Sequence, residues 1–369
     1  MTITPGAEDR SAHPLLDHEP LTTARFAALE RRVAGLMGTA HDVALMQAEA
    51  LLPLEAAIRG AVHPGSVALN IVTGPYGQTF GRWMRSCGAQ VVDLEVPYER
   101  AVSSSEVEVA LEAHPDVDFV SLVHAEAATG NTNPVGAVAE AVRAHGALFY
   151  LDAVASVGAE PVLVDEWGVD LCVIGPQKAL GGPSGVSAVS VSEAAWQRMA
   201  DNPAAPRGSF LSLLDWKERW FDGGRSAFLA APSALETLGL EAALDRIAAG
   251  GGVDALMARH RAAAAATRAG ARALGVTPYV VRDQDAAPVA TTLRTPDGTD
   301  AREVVAAATS AFPGLPLTAM GAPSLRLNHY GPHATLPLVA TALKSLAAAL
   351  ATDPSASLTA AESAWHKSE

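Results

Sequence analysis

The stretch DLCVIGPQKALGGPSGVSAVSVS, residues 170–192, decides how the rest of the chain is read. An unbroken apolar run from Leu171 to Ile174 meets a single cation, Lys178, and then glycine, proline and serine before a second apolar run begins. Continuous apolar runs bounded by turn residues predict strands covered on both faces. The lysine therefore stands in the turn at a strand end, with no acid close to it in sequence. It is either a solvated turn residue or an amine set aside for covalent chemistry.

The same texture extends in both directions. SVALNIV (66–72), QVVDLEV (90–96), DFVSLVHA (118–125), ALFYLDAV (147–154), DLCVIG (170–175) and GVSAVSVS (185–192) read as strands, with helices at 76–86, 105–113 and 135–145 between them. Residues 22–37 carry Phe26, Leu29, Val33 and Leu36 at helical spacing after a threonine cap. This alternation predicts an α/β fold with a mainly parallel mixed sheet flanked by helices. Beyond residue 232 an Ala/Arg-rich helical region runs to about 273. Shorter strands at 278–282, 289–294 and 325–330 follow, with helices at 300–309 and 334–350. The expected division is an N-terminal arm at 1–20, a large domain at 21–250, a smaller C-terminal α+β domain at 251–351 and a loose tail at 352–369.

Bulk properties narrow the function class. The 369 residues hold 26 Lys and Arg against 40 Asp and Glu, a net charge of −14, which argues against nucleic acid or an anionic membrane as the main partner. Cys87 and Cys172 lie far apart, a pattern of buried thiols in a reducing compartment. No secretory start and no apolar run of spanning length is present, so a cytoplasmic protein is expected. No metal site is expected.

In an open α/β sheet, ligands sit outside the carboxyl ends of the strands. The residues there are Lys178, Asp152, His124 with Glu126, and Tyr76. Each alone has a plain structural use: Asp152 as a helix cap, His124 as a core histidine, Tyr76 as packing. Together they suit one chemistry. Pyridoxal-type catalysis needs an amine to form a Schiff base, a carboxylate to keep the pyridine nitrogen protonated, and an aromatic ring to stack on it. His124 is a further candidate for contact with such a ring.

FYLDAVASVG followed by VIGPQKALGGPSG resembles the Asp and Lys signatures of the class V aminotransferases, the alanine–glyoxylate and serine–pyruvate group of fold-type I, over roughly residues 20–350. The resemblance implies that Lys178 carries the Schiff base, Asp152 pairs with the ring nitrogen, Gln177 lies beside the cofactor and Tyr76 stacks on it. Arg326, in LRLNHYGP, matches the family arginine that holds the substrate carboxylate, a task that suits a guanidinium fork. The resemblance also implies a homodimer with shared active sites.

One element departs from the family pattern. Where the family binds the cofactor phosphate with small hydroxyl residues at a helix N-terminus, this chain reads LMQAEALLPLEAAI (45–58), and Glu49 stands near the cup. The family's threonine before a proline, a phosphate ligand from the partner subunit, is Ala231 here. A carboxylate about 5 Å from a phosphate dianion, at an effective dielectric near 20, repels it by roughly 6–7 kcal/mol. That is some four to five powers of ten in affinity. The pyridoxamine–pyruvate aminotransferase branch has this feature, and LNIVTGPYGQTFGRW, LEVPYERAV, NPAAPRGSFLSLLDW and LRTPDGTD are similar to it. The resemblance implies that Glu49 accepts a hydrogen bond from the ring's 5′-hydroxymethyl group. The expected activity is transamination between free pyridoxamine and a small 2-oxo acid such as pyruvate, with pyridoxal and pyridoxamine as bound substrates. The alternative is an ordinary class V aminotransferase or lyase that uses pyridoxal 5′-phosphate. A non-catalytic vitamin-binding protein is disfavoured by the intact Lys178–Asp152 pair. Two departures bear on the oxo acid: residues 303–325 hold no second arginine, and position 127 is alanine where the family tends to carry a hydroxyl.

Overall fold

Apolar runs become strands and the amphipathic stretches between them become helices in the computed structural model of the chain, which describes residues 17–321 and 323–368. The arm expected at 1–20 lies almost wholly outside the described residues. The order is α1 (Thr23–Leu36), β1 (Asp42–Met46), α2 (Leu51–Ala61), β2 (Val67–Val72), α3 (Pro75–Ser86), β3 (Gln90–Glu95), α4 (Ser104–Ala113) and β4 (Phe119–Val123). A hairpin of β5 (Ala125–Glu126) and β6 (Asn131–Thr132) follows, then α5 (Val135–His145), β7 (Leu148–Asp152), α6 (Val164–Trp167), β8 (Leu171–Ile174), β9 (Ser187–Val191) and α7 (Glu193–Asp201). The chain continues through α8 (Leu213–Trp216), α9 (Ala234–Ala249), α10 (Gly252–Ala273), β10 (Thr277–Pro278), β11 (Ala290–Arg294), α11 (Ala301–Ala311), β12 (Leu317–Ala319), β13 (Ser324–Asn328), α12 (Leu336–Ala349) and α13 (Ser355–Ser368).

Seven strands form one sheet in the order β1-β9-β8-β7-β4-β2-β3. The pairs β2–β3, β2–β4, β4–β7 and β7–β8 are parallel, while β9 is antiparallel to both of its neighbours, β8 and β1. It follows that β1 points the same way as β8, β7, β4 and β2, and that six strands open their carboxyl ends along one edge. β2, β4, β7 and β8 are almost entirely buried, as the continuous apolar runs require when helices cover both faces. Buried Asn70 ties the layers together: its amide donates to Gly77 O (3.0 Å) and its Oδ1 accepts from Ser121 Oγ (2.8 Å), linking β2, β4 and the start of α3.

A second, four-stranded antiparallel sheet, β10-β11-β13-β12, forms the smaller core together with α10 to α13. Two expectations are corrected here. The strand expected at 278–282 is reduced to Thr277–Pro278: Tyr279 N–H still donates to Thr292 O (2.9 Å), and the chain then leaves the sheet, Val281 N–H donating to Glu99 O (3.0 Å). The tail expected to be loose is the helix α13, which lies along α10. It buries Ala361 and Trp365, and Ser357 Oγ donates to Gly270 O (2.9 Å). Among the described residues no helix is long and apolar enough to cross a membrane.

Candidate active site

The sheet topology brings the chemistry to one edge. The carboxyl ends of the adjacent strands β8, β7, β4 and β2 deliver Lys178, Asp152, Glu126 and Tyr76 in turn, and β1 delivers Glu49 to the same edge. Lys178 follows β8 in a tight turn closed by Gly181 N–H to Lys178 O (3.0 Å) and Gly182 N–H to Pro176 O (2.7 Å). Gly181 (φ +64°) and Gly331 (φ +49°) meet backbone to backbone: a Cβ on Gly331 would lie 2.6 Å from Gly181 Cα. Only glycine permits that approach in the left-handed region, and it joins the lysine turn to the small-domain segment that carries Arg326 and Tyr330.

Lys178 Nζ lies 5.3 Å from the centroid of the Tyr76 ring. Burial lowers the pKa of its ammonium; Asp152 and Glu126 oppose that shift, and Arg326 adds to it. An amine held this way is easier to deprotonate than a solvated lysine, as a nucleophile requires. Asp152, 4% exposed, accepts from Val154 N–H (2.9 Å), and burial pushes its carboxyl up to about 6, against the pull of Lys178. Near neutral pH it is ionised, ready to pair with a cation. Burial also raises the Tyr76 phenol, helped by Asp152, Glu126, Tyr330 and Glu49, so these groups share one electrostatic neighbourhood.

Glu49 has two bonds that place it. Its Oε2 accepts from Leu51 N–H (2.8 Å), the first residue of α2, whose N-cap Ala50 supplies no side-chain acceptor. Its Oε1 accepts from Gln177 Nε2 (2.8 Å), next to Lys178. An exposed carboxylate thus sits at a helix N-terminus, where the orphan amides and the helix dipole favour an anion. Arg326, on β13, donates from Nη1 to Ala127 O (2.8 Å) and keeps a buried Nε without a partner.

Of the residues expected at the site, Lys178, Asp152, Tyr76, Glu49, Gln177 and Arg326 come together. His124 does not. Its ring packs edge-on against Trp167 (5.7 Å between centroids), and its Nε2 is 4.0 Å from Glu160. Burial pulls its pKa down to about 3, so the side chain is neutral and packed among Trp167 and Glu160. Two residues of the neighbourhood were not assigned a role from sequence, Glu126 and Tyr330. Glu126 stands at a strand end in the apolar stretch LVHAEAATG, and the signal that could have given it a role is that a buried carboxylate needs a reason. Among the described residues no group of three or more His, Cys, Asp or Glu side chains is placed to hold a metal ion.

Comparison with known proteins agrees with this geometry. The sequence profile of the family described as aminotransferase class V matches residues 62–310. The pyridoxamine–pyruvate transaminase of Mesorhizobium japonicum is 34% identical over 340 residues, covering 91% of this chain and 86% of that protein. The crystal structure of pyridoxamine–pyruvate aminotransferase from Mesorhizobium loti superposes with a TM-score of 0.84 at 32% identity, covering 97% of this chain and 91% of that one. Alanine–glyoxylate aminotransferase from Nostoc sp. gives 0.83 at 25% identity, with 92% of each chain covered. The fold is fold-type I, and the chain belongs to the class V aminotransferases.

Proposed function

We propose that this aminotransferase moves an amino group between free pyridoxamine and a small 2-oxo acid such as pyruvate, forming pyridoxal and the amino acid. The observation that carries the reading is the Glu49 carboxylate bonded to Leu51 N–H at the N-terminus of α2. A phosphate ester would have to displace that bond and face a like charge, whereas the hydroxymethyl group of the free vitamin can donate to it. The site fits such a ring in a second respect. Two buried polar atoms there, Gln177 Oε1 and Arg326 Nε, lack a protein partner, as expected where a polar ligand completes the set.

When bound, the protonated B6 ring withdraws electrons from the carbon that exchanges its proton. The chain's own groups divide the remaining work. Asp152 holds the proton at the ring nitrogen, Tyr76 covers one face, and Gln177 orients Glu49. Lys178 Nζ would carry the proton between the amine-bearing carbon of the vitamin and the α-carbon of the amino acid, and would then act as the nucleophile that displaces the amino acid from the vitamin. Arg326 binds the carboxylate of the oxo acid. Purified protein incubated with pyridoxamine and pyruvate, without any phosphate ester, is expected to yield pyridoxal and alanine in equal amounts. No turnover there, with strong turnover after adding pyridoxal 5′-phosphate, overturns the reading in favour of an ordinary phosphate-dependent enzyme.

Two variants test the specificity. Glu49→Gln keeps an acceptor for Leu51 N–H but removes the charge. Because Glu49 is exposed, solvent screens its field, and the gain in affinity for pyridoxal 5′-phosphate should be about 30-fold, well below the unscreened value. Competition titration of the two aldehydes reads it; an unchanged ratio removes Glu49 from the specificity argument. Arg326→Lys loses the fork and should raise the KM for pyruvate about 30-fold, while kcat changes less. An equal fall in kcat at unchanged KM speaks against the assignment.

The same reading includes a homodimer in the cytoplasm. Exposed Phe210 and an apolar cavity of about 280 Å³ lined by Phe26, Trp216 and Phe228 offer a surface for a second copy. Cys87 and Cys172 are unpaired thiols, as a reducing compartment favours.

A further inference from the structure

Glu126 is fully buried on β5, close enough to Lys178 and Asp152 to influence both electrostatically, yet the roles above do not use it. Its surroundings show where it acts. α3 begins with Gly74 as N-cap, which has no side chain to accept a hydrogen bond, and with Pro75, which has no N–H to donate. The next amides, of Tyr76 and Gly77, are the orphan donors of the helix start. Glu126 Oε1 accepts from Gly77 N–H (3.1 Å), and the amides of Gly77 and Tyr76 both stabilise its carboxylate. A residue on a neighbouring strand therefore supplies the cap that the helix lacks.

The fit is close. A Cβ on Gly74 would lie 2.6 Å from Glu126 Oε2, so any other residue there must displace the carboxylate; its φ of 179° is ordinary extended backbone. The hairpin adds two more holds on the residue before Gly74. Asn131 Nδ2 donates to Thr73 O (2.9 Å) and Asn133 Nδ2 to Thr73 Oγ1 (2.8 Å). Burial pushes the Glu126 carboxyl up to about 7, opposed by the two amides. Both of its protonation states can accept an N–H.

Tyr76 is the second residue of α3, so the path of its ring is set by how the helix starts. We infer that Glu126 is a positioning residue for ring binding: by capping α3 from β5 it holds Tyr76 over the place that the B6 ring takes, and it acts through Tyr76 without touching the ring. The inference rests on the functional reading above for its ligand only.

A double-mutant cycle tests it, with pyridoxal affinity measured by absorption titration of the full chain and folding followed by circular dichroism. Glu126→Ala should weaken binding about tenfold, in line with the loss of a helix cap. Tyr76→Ala should weaken it at least as much, and the double variant should be no weaker than Tyr76→Ala alone. Glu126→Gln, which keeps the acceptor, should stay within about threefold of wild type. Losses that multiply in the double variant would mean that Glu126 acts on the ring directly or on the fold at large, and would overturn the proposal. So would Glu126→Gln binding as poorly as Glu126→Ala, or Glu126→Ala binding as well as wild type. If Glu126→Ala does not fold, Gly74→Ala displaces the same carboxylate by contact and takes its place in the cycle, with the same outcomes. Wild-type protein that binds pyridoxal 5′-phosphate but not pyridoxal sinks the functional reading alone, and the cycle is then read with the phosphate ester.

Discussion

Lys178→Ala is expected to lower the rate of pyridoxal formation from pyridoxamine and pyruvate by at least about 10³-fold, the scale on which loss of a nucleophile that also carries the proton is felt. The geometry leaves no substitute. Lys178 is the cation in the turn after β8, 5.3 Å from the Tyr76 ring and within the fields of Asp152 and Glu126. Burial makes its amine easier to deprotonate, and no other lysine enters the electrostatics of these groups. Arginine at this position should be as inactive as alanine, because a guanidinium stays protonated and cannot act as a nucleophile. Pyridoxal should still bind Lys178→Ala without a covalent bond, since Asp152, Tyr76 and Glu49 remain. Borohydride treatment followed by peptide mass analysis should place a pyridoxyl group on residue 178 in wild type and nowhere in the variant. A variant that turns over within tenfold of wild type removes covalent catalysis from this protein.

Asp152→Asn should lower kcat by about 10²-fold or more, the usual cost of removing one electrostatic group from a buried reacting centre. Asparagine has the same size and still accepts from Val154 N–H, so the turn after β7 keeps its shape. What is lost is the negative charge that, on the proposed reading, holds the ring nitrogen protonated. The same change has a stability consequence of opposite sign. The folded pKa of Asp152 is about 6, above its ordinary 3.8, so the native state binds this proton more tightly than the unfolded chain does. Such a group favours the native state at acid pH, and its contribution declines between pH 3.8 and 6 until the charged form carries its full penalty above 6. That penalty is at most about 3 kcal/mol at neutral pH. Asp152→Asn should therefore melt higher than wild type at pH 7 in the absence of ligand, with the difference gone at pH 4. A variant that is both inactive and less stable at pH 7 would assign Asp152 to the fold and not to the chemistry.

Much of the site was legible because strand ends are legible. The runs before Asp152 and Lys178 are apolar throughout, and a lone charge after such a run belongs to the carboxyl edge of the sheet. The turn chemistry of GPQKALGG marked the position of Lys178 in the same way. His124 shows the limit of that reasoning. It also follows an apolar run, but nothing in its spacing tells which side of the sheet it faces, and its ring packs against Trp167 and near Glu160. Glu126 was visible at a strand end but received no role, because its use depends on α3, which starts some fifty residues earlier in the chain, at Pro75. The tail failed for a related reason. TDPSASLTAAESAWHKSE has the composition of a loose segment, and its helix forms only by burying Ala361 and Trp365 against α10.

The amino-acid sequence by itself marked most strands of the large sheet and the charged residues at their carboxyl ends, because hydrophobic period and turn chemistry are local properties; the short strands β1 (Asp42–Met46) and β12 (Leu317–Ala319) carried no such signal. Only the tertiary structure decided which of these groups meet. Reversal of the single strand β9 turns β1 back to the same edge and brings Glu49 to Gln177, beside Lys178. The contact of Gly181 with Gly331 joins the lysine turn to the segment bearing Arg326. Those juxtapositions depend on how non-local surfaces pack, and side-chain direction at a strand end is set by that packing rather than by its neighbours in the chain.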